Sequence, residues 1–167
     1  MVDQDPREIE AIKQVKARYF RYLDTKQWDR WRTVFTEDLR LEGTTRPYAG
    51  PDEFVDGVRS WLGPAVTIHQ GHIPEVILTS STTARAITPM FDWVEFHDRA
   101  DDNRGGEHRG FVGFGHYEEE YRKEPDGWKI SMLRLTRLHL EPITGERRPA
   151  LPITLSSRGR TWFDTGA

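Results

Sequence analysis

The chain has 167 residues, 36% of them hydrophobic and 31% charged, with a formal net charge of -3. That size and balance suit one soluble globular domain spanning 1–167, and the weak acidic charge gives no electrostatic reason to expect nucleic acid or an anionic membrane as partner. Cysteine is absent, which excludes disulfides, thiolate nucleophiles and cysteine-based zinc sites and makes a cytoplasmic location the expectation.

The opening MVDQDPREIE is charged and has no apolar h-region, so no secretory signal is expected; no apolar run approaches bilayer length. The first helix is predicted from Asp5-Pro6-Arg7-Glu8. Asp5 caps it, Pro6 suits the first helical position, and Glu8 closes a capping box. Ile9, Ile12, Val15, Tyr19, Tyr22 and Leu23 recur at helical spacing and form its buried face. Thr25 is the expected cap of a short second helix, on which Trp28, Trp31, Val34 and Phe35 share a stripe. Gly50-Pro51-Asp52 starts a third helix, carried by Phe54, Val55, Val58, Trp61 and Leu62 and stopped by Gly63-Pro64.

Beyond this point the period changes from 3.6 to 2. Segments near 75–79, 83–97, 110–123 and 128–140 are rich in β-branched and aromatic residues, and Pro125-Asp126-Gly127 marks a hairpin between the last two. The charged stretch 98–109 is expected to be an exposed loop. Residues 141–167, with three prolines, read as an irregular tail beyond a core of about 5–140. Helices first and hairpin-joined strands after argue for an α+β fold: a cone-like curved mixed or antiparallel sheet packed against three N-terminal helices and enclosing a central cavity.

Ionisable residues inside apolar patterns point to chemistry. Tyr19 lies on the buried stripe of the first helix, where a plain core tyrosine is the alternative. Asp24 ends that helix, where a capping role is the alternative. His69 and His72, in TIHQGHIPEV, have the H-x-x-H spacing of a metal pair but lack helical context and an obvious third ligand. A histidine oriented by an acid is more economical, since a carboxylate holds its tautomer. Arg137 falls by alternation on a face with Ser131, Leu133 and Leu135, and a buried guanidinium needs a partner; Asp24, Asp92 and Glu95 are the candidates for an ion pair. Gly113 and Gly115 share a strand face and suggest a bend or space beneath a ligand. His116 faces the other way, with Val112 and Phe114, and is a candidate to point into the cavity. No serine nucleophile motif and no phosphate-cradling glycine loop is present.

AIKQVKARYFRYLDTKQWDRWRTVFTEDL resembles the opening helices of SnoaL-like domain proteins of the nuclear-transport-factor-2-like superfamily. HQGHIPEVILTSSTTARA, MFDWVEF and HYEEEYRKEPDGWKISMLRLTRL resemble the same proteins in the same order, so the likeness covers roughly residues 9–140. It is nearest to the bile-acid 7α-dehydratases, with scytalone dehydratase more distant. The resemblance implies a lyase that eliminates water from a small hydrophobic ring compound without metal or cofactor. It places the dehydratase tyrosine on Tyr19, its aspartate on Asp24, its histidine on His69 and its arginine on Arg137; Tyr22, Trp61, His72, Asp92 and His116 are the candidate substrate contacts around them. It also implies a homotrimer, with a dimer as the alternative. The longer, charged 98–109 loop and the rings of Trp61 and Trp93 depart from the bile-acid enzymes. A formaldehyde-releasing lyase of lignin-derived aromatics, a polyketide-type cyclase and a non-catalytic binding module stay open beside dehydration.

Overall fold

The computed structural model describes residues 2–44, 47–96 and 108–145. The expected loop 98–109 lies outside these apart from His108 and Arg109, as does the tail beyond Gly145. Helix α1 (Pro6–Asp24) begins as its sequence dictates. Asp5 accepts a hydrogen bond from the Arg7 amide at 2.9 Å, and Pro6 follows at the first turn. The capping box does not form. Glu8 turns to the sheet instead, accepting from Lys123 Nζ at 2.8 Å and from Trp128 Nε1 at 2.6 Å, where an ion pair and a second donor replace the single amide of a capping box. The buried face carries Ile12, Val15, Tyr19 and Leu23, and also Lys16 and Phe20.

Thr25 caps the C-terminus of α1, not the second helix; its hydroxyl donates to the Arg21 carbonyl at 2.6 Å. Helix α2 (Trp28–Arg32) follows Gln27 without a side-chain cap. Phe35, expected on the α2 stripe, opens strand β1 (Phe35–Glu42), whose FTEDLRLE is too polar to announce itself by alternation. Helix α3 (Pro51–Leu62) matches expectation and ends at Gly63. Strand β2 (Ala65–Gly71) is a second element the pattern did not reveal, and it holds His69 within it. Then come β3 (Glu75–Leu78), β4 (Thr83–Phe96), β5 (Gly110–Glu124) and β6 (Gly127–Ile143). The last runs into the segment expected to be irregular. No described helix is long and apolar enough to cross a membrane.

The strands form one curved sheet in the order β1-β6-β5-β4-β2, with β3 also on β4. Only β1 and β6 are parallel. The fold is α+β, and α1 lies across the sheet against β2, β3 and β6. Two irregularities shift the register of β6 against β5, one at Ser131 and one at Leu138. Each extra residue reverses which side chains face inward. Ile130, on the near side of the first shift, pairs with Tyr121, while Leu133, Leu135 and Arg137 pair with Glu119, Tyr117 and Gly115 on the same inner face. Ser131 therefore does not share the face of Arg137, as unbroken alternation predicts.

Aromatic rings weld α1 to the sheet. Tyr19 meets Trp31 at 5.3 Å and Phe35 at 5.9 Å between centroids, and Trp31 meets Phe35 at 5.1 Å, all edge-on. Such pairs add about 0.5–1.5 kcal/mol each beyond their buried area. They fix the C-terminal end of α1 where Asp24 emerges over β2.

Candidate active site

Four neighbouring strands, β2, β4, β5 and β6, build the floor of the site. His69 on β2 pairs with Asp92 on β4, Asp92 pairs with Gly113 on β5, and Gly115, two residues on, pairs with Arg137 on β6. From above, Asp24 at the end of α1 completes the group. Its Oδ1 lies 2.6 Å from His69 Nδ1 and accepts from Thr67 Oγ1 at 2.9 Å, while Oδ2 accepts from the His69 amide at 2.7 Å. A carboxylate met by these donors offers only acceptors, so Nδ1 carries an imidazole hydrogen and, in the neutral ring, Nε2 has the lone pair. That nitrogen is 3.9 Å from Asp92 Oδ2.

Asp92 is held by a fork. Arg137 donates to Oδ1 at 2.7 Å and to Oδ2 at 2.6 Å, which is the pairing a buried carboxylate requires. The Arg137 guanidinium also lies 5.6 Å from the centre of the Phe111 ring. Gly113 exists for this pair: a β-carbon there would collide with the guanidinium and with Asp92 Oδ1. Of the three acids that alternation offered Arg137, the fold selects Asp92.

Tyr19 is 3% exposed, and its hydroxyl shares a hydrogen bond with that of Tyr117. Burial holds both phenols above their ordinary pKa, and Tyr117 also feels the charges of Asp92 and Arg137. Tyr19 is thus joined to Tyr117, on which Asp92 and Arg137 act through their charge. Behind them Lys16 Nζ sits 3.4 Å from the Tyr117 ring centre and 4.1 Å from that of Tyr19, donating to Glu119 at 2.7 Å. Glu119 in turn accepts from the Tyr121 hydroxyl at 2.7 Å. Desolvation lowers the Lys16 ammonium to about 8 against the pull of Glu119.

The remaining predicted contacts fall at different distances from this centre. Trp61 stacks on Phe111 at 6.1 Å and leans on Phe96 at 6.1 Å, so one ring separates it from Arg137. Tyr22 is half-buried beneath the Arg21 guanidinium. His72 is exposed past the end of β2, its amide donating to the Pro89 carbonyl at 2.8 Å. His116 lies on the outer face of β5, opposite Thr136, since the inner positions are Gly113, Gly115 and Tyr117. Neither histidine joins His69. Among the described residues no group of three or more His, Asp or Glu is placed to hold a metal ion. Two surface hollows, of about 620 and 520 Å³, contain none of Asp24, His69, Asp92 or Arg137.

Thr67, Tyr117, Lys16 and Glu119 were not singled out from sequence. Thr67 and His69 are two apart, a signal readable only once β2 is known to be a strand. Lys16 stands at helical spacing between Ile12 and Tyr19, and Glu119 at strand spacing between Tyr117 and Tyr121, so both showed as charges within apolar stripes.

With this geometry in place, the likeness to known proteins can be weighed. The SnoaL-like domain family matches residues 5–134. A probable cyclase, FGR4, of Gibberella zeae is 27% identical over 152 residues, covering 80% of this chain and 93% of that one. A protein of Novosphingobium aromaticivorans assigned as a scytalone dehydratase superposes with a TM-score of 0.69 at 18% identity, covering 92% of this chain and 95% of its own. The hexachlorocyclohexane dehydrochlorinase LinA-type3 of Novosphingobium barchaimii superposes at 0.68 with 20% identity, over 85% and 94%. At such identities the two structures speak for the shared fold. With its sheet, its helices and the match across most of its length, the chain belongs to the SnoaL-like domain family.

Proposed function

We propose that this chain is a single-domain lyase that eliminates water from a hydroxylated, hydrophobic ring substrate by acid–base chemistry of its own side chains. The observation that carries the reading is the Asp24–His69 pair, 2.6 Å apart, with the Nε2 lone pair turned to the inner face of the sheet. In the reaction Nε2 takes a proton from a ring carbon made acidic by a neighbouring carbonyl or phenol. The electron pair forms the double bond as the C–O bond breaks, and the hydroxide leaves as water with the proton the imidazolium returns. Asp92, 3.9 Å from Nε2, faces that imidazolium, and the Arg137 fork holds Asp92 in place. Tyr117, steadied by Tyr19, polarises the substrate oxygen. Trp61 and Phe111 form the apolar wall for the ring.

Elimination is also the chemistry in the names of the dehydratase and dehydrochlorinase neighbours. The cyclase relative favours ring closure as the second reading, using the same base. A positioned acid or base supplies about 10²–10⁴-fold. On hydroxylated steroid-like and aromatic ring compounds, His69→Ala and Asp24→Asn proteins that fold normally are expected to lose about that factor in kcat. Unchanged turnover would refute the mechanism, and a cyclised product with no water lost would establish the second reading. The working form we propose is a homotrimer, its outer sheet face covered by neighbouring copies.

A further inference from the structure

Just past Asp24 the chain turns through Lys26, whose φ is 58°. This is left-handed backbone, which glycine enters freely and a residue with a β-carbon enters at a cost. The Lys26 amide donates to the Leu23 carbonyl at 3.2 Å, a bond any residue here would make. The side chain does what glycine has no means of doing. It folds back over the sheet, half-buried, with Trp28 near its tip at 5.8 Å, and Nζ donates to Thr67 Oγ1 at 2.8 Å. Desolvation lowers its ammonium to about 8, with the Asp24 charge opposing, so at neutral pH it remains a donor.

An ammonium has three donors and no acceptor, and a hydroxyl has one hydrogen. With Lys26 donating to it, Thr67 has its hydrogen free for Asp24 Oδ1, 2.9 Å away. The direction of the row is thereby set, from Lys26 to Thr67, from Thr67 to Asp24, and from His69 Nδ1 to Asp24. We infer that Lys26 is a positioning residue for the general base: acting through Thr67, it holds the Asp24 carboxylate in place against His69 and so fixes the ring in the tautomer with a free Nε2. The inference rests on reading His69 as that base. A glycine at 26 would relax the backbone and break the row, which separates this role from a merely structural one.

The test compares wild type with Lys26→Gly, Thr67→Val and Thr67→Ser by NMR of ¹⁵N-labelled histidine in the free protein, with thermal unfolding alongside. Wild type and Thr67→Ser are expected to show Nδ1 protonated and Nε2 unprotonated, with a sharp Nδ1 proton signal. Lys26→Gly and Thr67→Val are expected to show averaged nitrogen shifts and a broadened proton, while the Tm of Lys26→Gly holds or rises. On a substrate that wild type turns over, Lys26→Gly is expected to lower kcat about 10-fold, the size of effect seen when supporting groups are removed, with KM unchanged. A wild-type nitrogen pattern in Lys26→Gly or in Thr67→Val overturns the inference. Full turnover by His69→Ala instead overturns the reading of the base, and the nitrogen pattern still decides the relay.

Discussion

The space beside Gly113 is occupied by two charged groups rather than by solvent. The Arg137 fork on Asp92 fills the volume a β-carbon would take, so a side chain there displaces one or both partners of the fork. Overpacking of this kind costs about 1–3 kcal/mol. For a chain of this size each 1 kcal/mol lowers Tm by roughly 2–4 °C. Gly113→Ala is therefore expected to lower Tm by several degrees and, by prising Asp92 from Arg137, to slow turnover. Thermal unfolding read with kcat checks both, and a Tm equal to wild type would mean the fork is loose. From sequence, Gly113 suggested only space or a bend, because the residues that fill the space sit 21 and 24 positions away on other strands.

At the scale of elements, β2, β4 and β5 carry two different faces. Their inner side holds Thr67, His69, Asp92 and Gly113, while their outer side sets Ile68 beside Trp93 and Phe91 against Phe114 at 5.4 Å. Ile68, Ile87 and Phe114 are each at least 40% exposed. Contiguous apolar surface of this sort marks an interaction face, which is the ground for the self-association proposed above; the number three is what the resemblance to the dehydratases implies. Sedimentation is expected to give three times the 19.5 kDa chain mass, and Phe114→Asp to shift the protein toward monomer. A wild-type mass of one chain at micromolar concentration refutes the assembly.

Across the whole molecule, the buried cations and phenols impose a pH dependence of their own. Lys16 and Lys26 both have their folded pKa lowered to about 8, mainly by desolvation, below the roughly 10.4 of an unfolded lysine. Between these values the unfolded chain binds more protons, so stability rises with pH through that window. This is the reverse of a lysine that gains from its partner. Tyr19, Tyr117 and Tyr121 act oppositely. Burial raises them, so above about pH 10 the unfolded state sheds protons that the folded state keeps, and stability falls. Urea midpoints are expected to climb from pH 8 to about 10 and to decline by about 11. Flat midpoints from 7 to 10 would show that the lysines are hydrated.

The sequence by itself determined the parts written in short-range pattern. Helices α1 and α3 were legible from caps and 3.6-residue spacing, and β4 to β6 from alternation and one turn, while Tyr19, Asp24, His69 and Arg137 were the site candidates that the resemblance implied. It did not reveal β1 or β2, whose short polar-rich runs become strands only because neighbours supply their hydrogen bonds. Nor did it reveal the two register shifts in β6 that decide which face each residue takes. Tertiary structure alone chose the partners: Asp92 for Arg137, Tyr117 for Tyr19, Glu119 for Lys16 and Thr67 for Lys26. The physical reason is range. Helix and strand periodicity are set by residues a few positions apart, whereas the pairing of a buried charge or phenol is settled by which distant group the packed sheet brings within 3 Å.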